Sequence, residues 1–281
     1  MTSKSDTHGK PACARKEPRE LYLDLLKKCL TFSLWGAKDG SNHPHEFPSL
    51  KERVKRFLKG SAPARPGREQ LRAEAQDWPL MAHTMIGSKR LDNLQFCVED
   101  VIDKKVPEDL IETGVWRGGA SIFMRAVLAA GGVTDRLVWV ADSFEGLPPP
   151  DAGKYPADAG DILYTYKTLA DSIEEVRANF EAYGMLDHQV RFLKGWFRDT
   201  LPTAAIGKLA VIRLDGDLYE STMDGFVNLY PRLSVGGYII IDDFGAIAGC
   251  KKAVLDFPEA HGITESIREI DWDGVFWQRS A

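Results

Sequence analysis

Carboxylates follow three apolar stretches of this sequence. Asp142 comes after VWVA, Asp215 and Asp217 come after LAVIRL, and the pair Asp242 and Asp243 comes after YIII. Aspartate is disfavoured in strands and costly to bury without a partner, so packing alone does not explain three such endings. The carboxyl ends of parallel strands meet at one edge of a sheet, where ligands bind. The sequence therefore predicts an acidic site at this edge.

Three of these carboxylates, Asp215, Asp242 and Asp243, favour a bound cation. Negative charges that converge in a cleft repel one another unless an opposite charge neutralises them. Oxygen ligands favour Mg²⁺ or Ca²⁺ over zinc or copper, and such an ion orients an alcohol and lowers its pKa. Asp217 lies two residues beyond Asp215, on a predicted turn, and is a candidate general base. The alternative, in which Asp215 and Asp217 both bind the metal and neither is a base, stays open.

A glycine-rich turn in DLIETGVWRGG (residues 109–119) lies between a predicted strand and a predicted helix. This order directs backbone N–H groups and the positive end of a helix toward one spot, which suits an anionic or carboxylate-bearing ligand. The glycines match neither the dinucleotide fingerprint nor the P-loop. The pattern E-x-G-x-x-x-G instead resembles the first motif of class I S-adenosylmethionine (SAM) methyltransferases. An ordinary turn with packing glycines is the alternative.

Four further side chains have two interpretations each. Asp142 is placed to accept the hydroxyls of a bound ribose, or it caps the next segment. Trp196 and Phe197 follow the third strand and either form a wall for an adenine ring or fill the core. His83, ahead of a predicted helix, is either a catalytic base or a structural histidine.

Apolar runs and helical repeats alternate from about residue 106 onward. Continuous runs such as LAVIRL are typical of parallel strands covered on both faces. The alternation predicts a doubly wound, Rossmann-like α/β sheet, mostly parallel, and the terminal DWDG predicts a hairpin with an antiparallel edge strand. The predicted strands are 109–113, 137–141, 190–193, 209–214, 237–242, 265–270 and 273–278, and the predicted helices are 88–103, 117–130, 171–183, 220–232 and 249–260.

The N-terminal 80 residues lack this alternation. We expect a polar, disordered start over 1–18, an amphipathic helix over 21–30, a loop over 36–48, a short basic helix over 49–59 and a linker over 60–67. The chain thus divides into an N-terminal helical cap region, 1–80, and an α/β domain, 81–281. A loop over 147–168, rich in proline, glycine and aspartate, is predicted to be mobile and to order over a bound ligand.

Composition excludes several classes of function. The 281 residues carry a net charge of −5, which argues against capture of nucleic acid or an anionic membrane. No stretch approaches ~20 uninterrupted apolar residues, and the start of the chain lacks the apolar segment of a secretory signal. The four cysteines are scattered and suggest neither a zinc site nor a disulfide scaffold. The expected compartment is the reducing cytoplasm.

Six motifs in order resemble the macrocin O-methyltransferase family, over about residues 81–281: DLIETGVWRGGASIF, VWVADSFEGLP, VRFLKGWFRDTLP, VIRLDGDLYESTMD, LSVGGYIIIDDF and GVFWQRSA. The resemblance implies a SAM-dependent methyltransferase domain that also uses Mg²⁺ and methylates a sugar hydroxyl of a glycosylated secondary metabolite, as in the biosynthesis of macrolide or aminocoumarin antibiotics. It also implies a homodimer or higher homo-oligomer, with the N-terminal region helping to close the site.

Carried over by motif, the resemblance agrees with the roles argued above for Asp215, Asp242 and Asp243 as metal ligands and Asp217 as base. It implies SAM contacts at a larger set: Thr84, Glu112, Thr113, Gly114, Trp116, Arg117, Gly118, Ser121, Asp142, Ser143, Trp196 and Phe197. Residues 31–80 and the loop after the second strand differ from the family, which leaves the acceptor open. A catechol-like phenol is an alternative acceptor, and a catalytically silent SAM-binding scaffold is the alternative outside enzymes.

Overall fold

A mixed sheet forms the centre of the protein in a computed structural model, which describes residues 16–38, 67–77 and 79–281. Its seven strands lie in the order β3-β2-β1-β4-β5-β7-β6. Strands β1 to β5 pair in parallel, whereas β7 runs antiparallel to both β5 and β6. The predicted α/β class with an antiparallel edge is confirmed. The strands are β1 (Asp109–Thr113), β2 (Val138–Asp142), β3 (Val190–Lys194), β4 (Leu209–Leu214), β5 (Leu233–Ile241), β6 (Arg268–Glu269) and β7 (Val275–Gln278).

Helices cover both faces of the sheet, as its apolar strands require. The helices are α1 (Pro18–Leu30), α2 (Arg68–Ala73), α3 (Gly87–Asp103), α4 (Gly119–Ala130), α5 (Ile173–Ala182), α6 (Phe197–Thr200), α7 (Tyr219–Leu229) and α8 (Ala248–His261). One buried cluster joins the sheet to α1, α3, α4 and α5, and a second joins it to α7 and α8. None of the described helices combines the length and the apolar composition that a membrane crossing needs.

The N-terminal helix α1 packs on the α/β core. Leu23, Leu26 and Leu30 lie in the same buried cluster as the apolar faces of α3 and α4, and this spacing of three and four residues is the pattern of an amphipathic helix. The predicted helix over 49–59 lies outside the described residues, as do most of the predicted disordered start and linker. The division of the chain near residue 80 stays a prediction.

The strand register brings four turns together at one edge. Thr113 at the end of β1 lies opposite Ala141 of β2 and Leu214 of β4. Leu214 in turn lies opposite Ile241 of β5. The next residue in each chain segment is Gly114, Asp142, Asp215 or Asp242. The sheet therefore places the glycine turn between Asp142 on one side and the aspartates that follow β4 and β5 on the other.

Candidate active site

A cleft opens at this edge of the sheet, with an empty space of about 780 Å³ that includes its open mouth. Four of the residues predicted from sequence line the cleft at or just after the ends of strands: Gly114, Asp142, Asp215 and Asp217. The remaining lining comes from the loop after β2, from the segment after β3 and from α7: Ser143, Gly146, Leu147, Pro148, Leu169, Trp196, Phe197, Arg198, Glu220, Ser221 and Asp224, together with Met85, Trp116 and Gly216.

Gly114 is required by a close approach of two strand ends. Its φ is +79°, and a Cβ at this position would lie 1.6 Å from the carbonyl oxygen of Asp215. No side chain fits there without moving the backbone, since L-residues also disfavour this φ. Gly119 is similarly confined, because a Cβ would lie 2.3 Å from the carbonyl oxygen of His83. The glycines thus bring the turn close to β4 and to the segment ahead of α3.

A buried ion-pair network lies beneath the cleft and centres on Arg213 of β4. One guanidinium nitrogen of Arg213 lies 2.7 Å from Glu112 and 2.8 Å from Asp215, and another contacts Asp242. Glu112 also accepts a hydrogen bond from Ser121. The side chains of Glu112 and Ser121 are therefore engaged with the protein itself, and their predicted contact with SAM stays untested.

The predicted metal ligands Asp215, Asp242 and Asp243 come together. One carboxylate oxygen from each lies within 4.8 Å of those of the other two. Asp242 is held at both oxygens, because Arg90 of α3 lies 2.8 Å from Oδ2 while Arg213 contacts Oδ1. Arg90 also bonds Asp271 and Asp273 in the turn before β7. Two buried arginines thus orient Asp242, and Arg213 also contacts Asp215.

Charge balance at this cluster is uneven. Burial opposes ionisation of Asp242, but the guanidinium groups of Arg213 and Arg90 outweigh it and lower its pKa. Burial, followed by the charge of Asp242, raises the pKa of Asp215 to about 6. Burial and neighbouring carboxylates raise the pKa of Asp217 and Asp243 well above the usual range. A divalent cation would relieve this excess of negative charge, and the all-oxygen donor set fits Mg²⁺.

Asp217 lines the cleft from the segment between β4 and α7. Its φ of +55° is in the left-handed region, which Asp tolerates better than most residues. Its backbone N–H donates to Asp243 Oδ2 at 3.2 Å. The position is open to a ligand in the cleft and adjacent to the metal carboxylates. Both interpretations of Asp217, base and metal ligand, remain consistent with this geometry.

Asp142 accepts hydrogen bonds from the protein on both oxygens. The N–H groups of Val115 and Phe144 donate to it at 2.7 Å each, and Ser143 Oγ lies 3.3 Å away. Burial raises its pKa despite these donors. Asp142 therefore ties the glycine turn to the end of β2, in addition to lining the cleft. Its predicted contact with ribose stays a prediction.

Trp116 and Arg117 connect the glycine turn to two flanking segments. Trp116 lines the cleft and donates from Nε1 to the Thr168 carbonyl at 2.9 Å. Arg117 donates to the carbonyls of Leu80 and Ala82 at 2.7 and 3.0 Å and lies 3.5 Å from Asp171. Arg117 thus supports the wall of the cleft in this structure, and a direct SAM contact is untested.

The other predicted cofactor residues divide between lining and support. Ser143, Trp196 and Phe197 border the cleft, and both aromatic residues are half-buried. Phe197 also packs against the second buried cluster, so it contacts both the cleft and the core. Gly118 precedes α4 with a φ of +84°. Thr84 and Thr113 are buried behind the turn, and Asp215 N–H donates to the Thr113 carbonyl at 2.9 Å.

His83 lies beside the glycine turn and contacts Tyr183. Its Nδ1 lies 2.8 Å from the Tyr183 hydroxyl, and its carbonyl accepts from Gly119 N–H at 2.9 Å. It is absent from the lining of the cleft among the described residues. These contacts favour the structural interpretation of His83 over that of a base.

The loop over 147–168 is partly anchored. Two short 3-10 turns, Pro156–Asp158 and Leu163–Thr165, lie within it, and a third, Lys167–Leu169, lies at its end. Asp158 is buried and accepts from the N–H groups of Tyr219 and Glu220 at 2.6 and 3.1 Å, so it caps α7 from outside the helix. The middle of the predicted lid is thus tied to the helix that lines the cleft, and its motion stays a prediction.

Comparison with known proteins decides the family. A sequence profile of the macrocin O-methyltransferase (TylF) family matches residues 19–279. The chain belongs to the macrocin O-methyltransferase family. It is therefore an O-methyltransferase, in a family of SAM-dependent methyltransferases, and both the predicted family and the predicted enzyme class are confirmed. The scaffold alternative is thereby set aside.

Several family members are similar over nearly their whole length. The 8-demethyl-8-(2,3-dimethoxy-alpha-L-rhamnosyl)-tetracenomycin-C 4'-O-methyltransferase of Streptomyces olivaceus is 53% identical over 267 residues, 95% of each chain. Mycinamicin III 3''-O-methyltransferase of Micromonospora griseorubida is 47% identical and covers 93% of this chain and 97% of its own. The solved structure of the O-methyltransferase NovP superposes with a TM-score of 0.82 at 50% identity, covering 94% of this chain and all of that one.

Sequence reasoning missed the two buried arginines of this O-methyltransferase. Arg213 is the one charged residue in the run LAVIRL, two positions before Asp215, where a strand places it on the same face. That signal could have identified it as a partner of the carboxylates. Arg90 carried no comparable signal, since its partners Asp242, Asp271 and Asp273 lie more than 150 residues away in sequence.

Proposed function

We propose that this enzyme uses SAM and Mg²⁺ to methylate a sugar hydroxyl of a glycosylated secondary metabolite in antibiotic biosynthesis. The observation that carries the proposal is the cluster of Asp215, Asp242 and Asp243, in which Asp215 lines the same cleft as Asp217. The names of the relatives support the substrate class: they refer to a rhamnosyl tetracenomycin, a demethyldecarbamoylnovobiocin and a mycinamicin. Their identities to this chain lie between 47% and 53%.

SAM would supply a methyl group on a sulfonium centre, which needs only an aligned nucleophile about 3 Å away. Asp142 would accept the ribose hydroxyls, while the turn at Gly114 lets the backbone approach the amino-acid end. The half-buried rings of Trp196 and Phe197 would wall the adenine. Each of these side chains or turns borders the cleft, so one ligand could touch all of them.

A sugar hydroxyl is a very weak acid and needs help with its proton. Asp217 would take this proton as the oxygen–carbon bond to the methyl forms and the sulfur–carbon bond breaks, which leaves a neutral thioether. Burial, followed by the charge of Asp215, raises the pKa of Asp217. A cation on Asp215 would offset part of this effect and favour the ionised carboxylate that can take the proton.

The oxygens of Asp215, Asp242 and Asp243 would hold Mg²⁺, which polarises the acceptor hydroxyl when bound. Arg213 and Arg90 would keep Asp242 in the orientation that this requires, because each engages a different oxygen of its carboxylate. The ligand set, the homo-oligomeric state and the cytoplasmic location are parts of the proposal.

The test is a panel of acceptors incubated with the purified enzyme, SAM and Mg²⁺, with products analysed by mass spectrometry. The panel contains rhamnosylated polyketides, the matching aglycones, and a catechol. Methylation of the glycosides alone, abolished by EDTA and restored by Mg²⁺, supports the proposal. Methylation of the catechol or aglycone would move the acceptor to a phenol. Full activity in EDTA would show that methylation does not require a metal ion.

A further inference from the structure

Two polar residues on α7 line the cleft and have no assigned role. Ser221 and Asp224 are one helical turn apart and therefore share a face of the helix. Among residues 16–38, 67–77 and 79–281, no hydrogen bond or ion pair is formed by the carboxylate of Asp224, and the charges of Lys154 and Arg198 offset its burial only in part. Ser221 is buried, and Asp224 is half-buried. A carboxylate removed from water without a donor is costly, which suggests that a ligand supplies the donor.

Ser221 lies next to Phe197, one of the two aromatic residues that border the cleft. A Cβ on Gly216 would lie 3.1 Å from Ser221 Cβ and 3.5 Å from Phe197 Cε2, so Ser221 and Phe197 border the same glycine. Arg198, directly after Phe197, lies 3.5 Å from Glu220, which precedes Ser221. The segment after β3 and the first turns of α7 thus form one corner of the cleft.

The chemistry of this corner matches the edge of an adenine ring. Above its pKa the carboxylate of Asp224 accepts hydrogen bonds only, whereas the hydroxyl of Ser221 can also donate. Adenine presents a 6-amino donor beside a ring-nitrogen acceptor. The carboxylate end of SAM would be repelled by Asp224, and the ribose is assigned to Asp142. The adenine edge is then the part of SAM that can satisfy both residues.

We propose that Asp224 accepts a hydrogen bond from the 6-amino group of the SAM adenine and that Ser221 donates to a ring nitrogen. The proposal rests on the proposed use of SAM and adds the residues that select its base. Glu220 keeps its partner Arg198, which leaves Asp224 as the acceptor available in this corner.

The test compares two nucleosides that differ at this edge. S-Adenosyl-L-homocysteine carries the 6-amino group, and S-inosyl-L-homocysteine carries an oxo group there with a proton on N1, which exchanges donor and acceptor. In calorimetric titration, the wild type should bind the adenosyl compound at least about tenfold more tightly than the inosyl compound. The reason is that the inosyl compound loses a hydrogen bond to a charged group. In Asp224→Ala the two affinities should agree within about threefold.

Asp224→Asn provides a variant of equal size, in which the amide can rotate to donate to the oxo group and should also reduce the preference. Ser221→Ala should weaken binding of the adenosyl compound and reduce the preference for it over the inosyl compound. Glu259→Ala, which removes an exposed carboxylate of α8 outside the cleft, is the matched control and should keep the wild-type ratio. The Tm of Asp224→Ala should equal or exceed that of the wild type, because the variant lacks a carboxylate that has no hydrogen-bond donor in the protein.

An unchanged ratio in both Asp224 variants would overturn the proposal, as would equal affinities in the wild type. A variant that raises only the KM for the acceptor, with the nucleoside ratio intact, would assign Asp224 to the acceptor and also overturn it. If neither nucleoside binds the wild type, the proposed use of SAM fails together with this inference, which distinguishes that failure from the others.

Discussion

Replacing Arg213 tests the buried ion-pair network below the cleft most directly. Its side chain is 1% exposed and lies 2.7 Å from Glu112 and 2.8 Å from Asp215. Arg213→Met removes the cation and leaves these carboxylates and Asp242 buried without it. Removing one partner of a buried pair costs about 3–5 kcal/mol. At ~2–4 °C per kcal/mol for a domain of this size, Tm should fall by roughly 6–20 °C in a calorimetric scan with EDTA.

The same network makes a second readout possible. Mg²⁺ that binds only the folded state raises Tm, and it should raise that of Arg213→Met more than that of the wild type, because the variant has more uncompensated negative charge. Arg191→Met, on the exposed side of β3, is the matched control and should change Tm by less than about 2 °C. If Arg213→Met unfolds at the same temperature as this control, the network does not stabilise the site and the reasoning is wrong.

Three further changes test the elements around the cleft. Gly114→Ala places a Cβ 1.6 Å from the Asp215 carbonyl, so S-adenosyl-L-homocysteine should bind more than about tenfold more weakly in calorimetry, and wild-type affinity would contradict the close approach. Asp142→Ala should weaken the same ligand by roughly 1–3 kcal/mol, and unchanged affinity would remove Asp142 from the site. Asp158→Ala removes an external cap worth about 0.5–2 kcal/mol, so hydrogen exchange at the N–H groups of Tyr219 and Glu220 should accelerate; equal exchange would mean that the loop does not anchor α7.

Most of the fold could be predicted because its strands are continuous apolar runs with clear ends. The predicted strands 109–113 and 209–214 coincide with β1 and β4. Strand β5 begins at Leu233, four residues before the predicted start. Gly236 and Gly237 interrupt the apolar pattern at an irregularity where the register with β4 shifts, and the pairing resumes at Tyr238. The short helix α6 was missed because four residues carry no period.

Within the site, sequence reasoning identified groups at strand ends and missed those that act across the sheet. Asp215, Asp242 and Asp243 were predictable because parallel strands end at one edge. The pairing of Glu112 with Ser121 and Arg213 depends on which face each side chain takes, and Arg90 reaches Asp242 from a helix far away in sequence. Such contacts follow from register and packing, which a single sequence does not contain.

The central claim is the division of roles between Asp217 and the metal carboxylates. The direct measurement is kcat as a function of Mg²⁺ concentration for Asp217→Asn and Asp242→Ala, with the methylated glycoside as product. Asp217→Asn keeps the size of the side chain and removes the base, so kcat should fall by roughly 10²–10⁴-fold at every Mg²⁺ concentration, with the metal requirement unchanged. Asp242→Ala should instead require more Mg²⁺. If added Mg²⁺ restores full turnover to Asp217→Asn, then Asp217 is a metal ligand, the base lies elsewhere, and the account is contradicted.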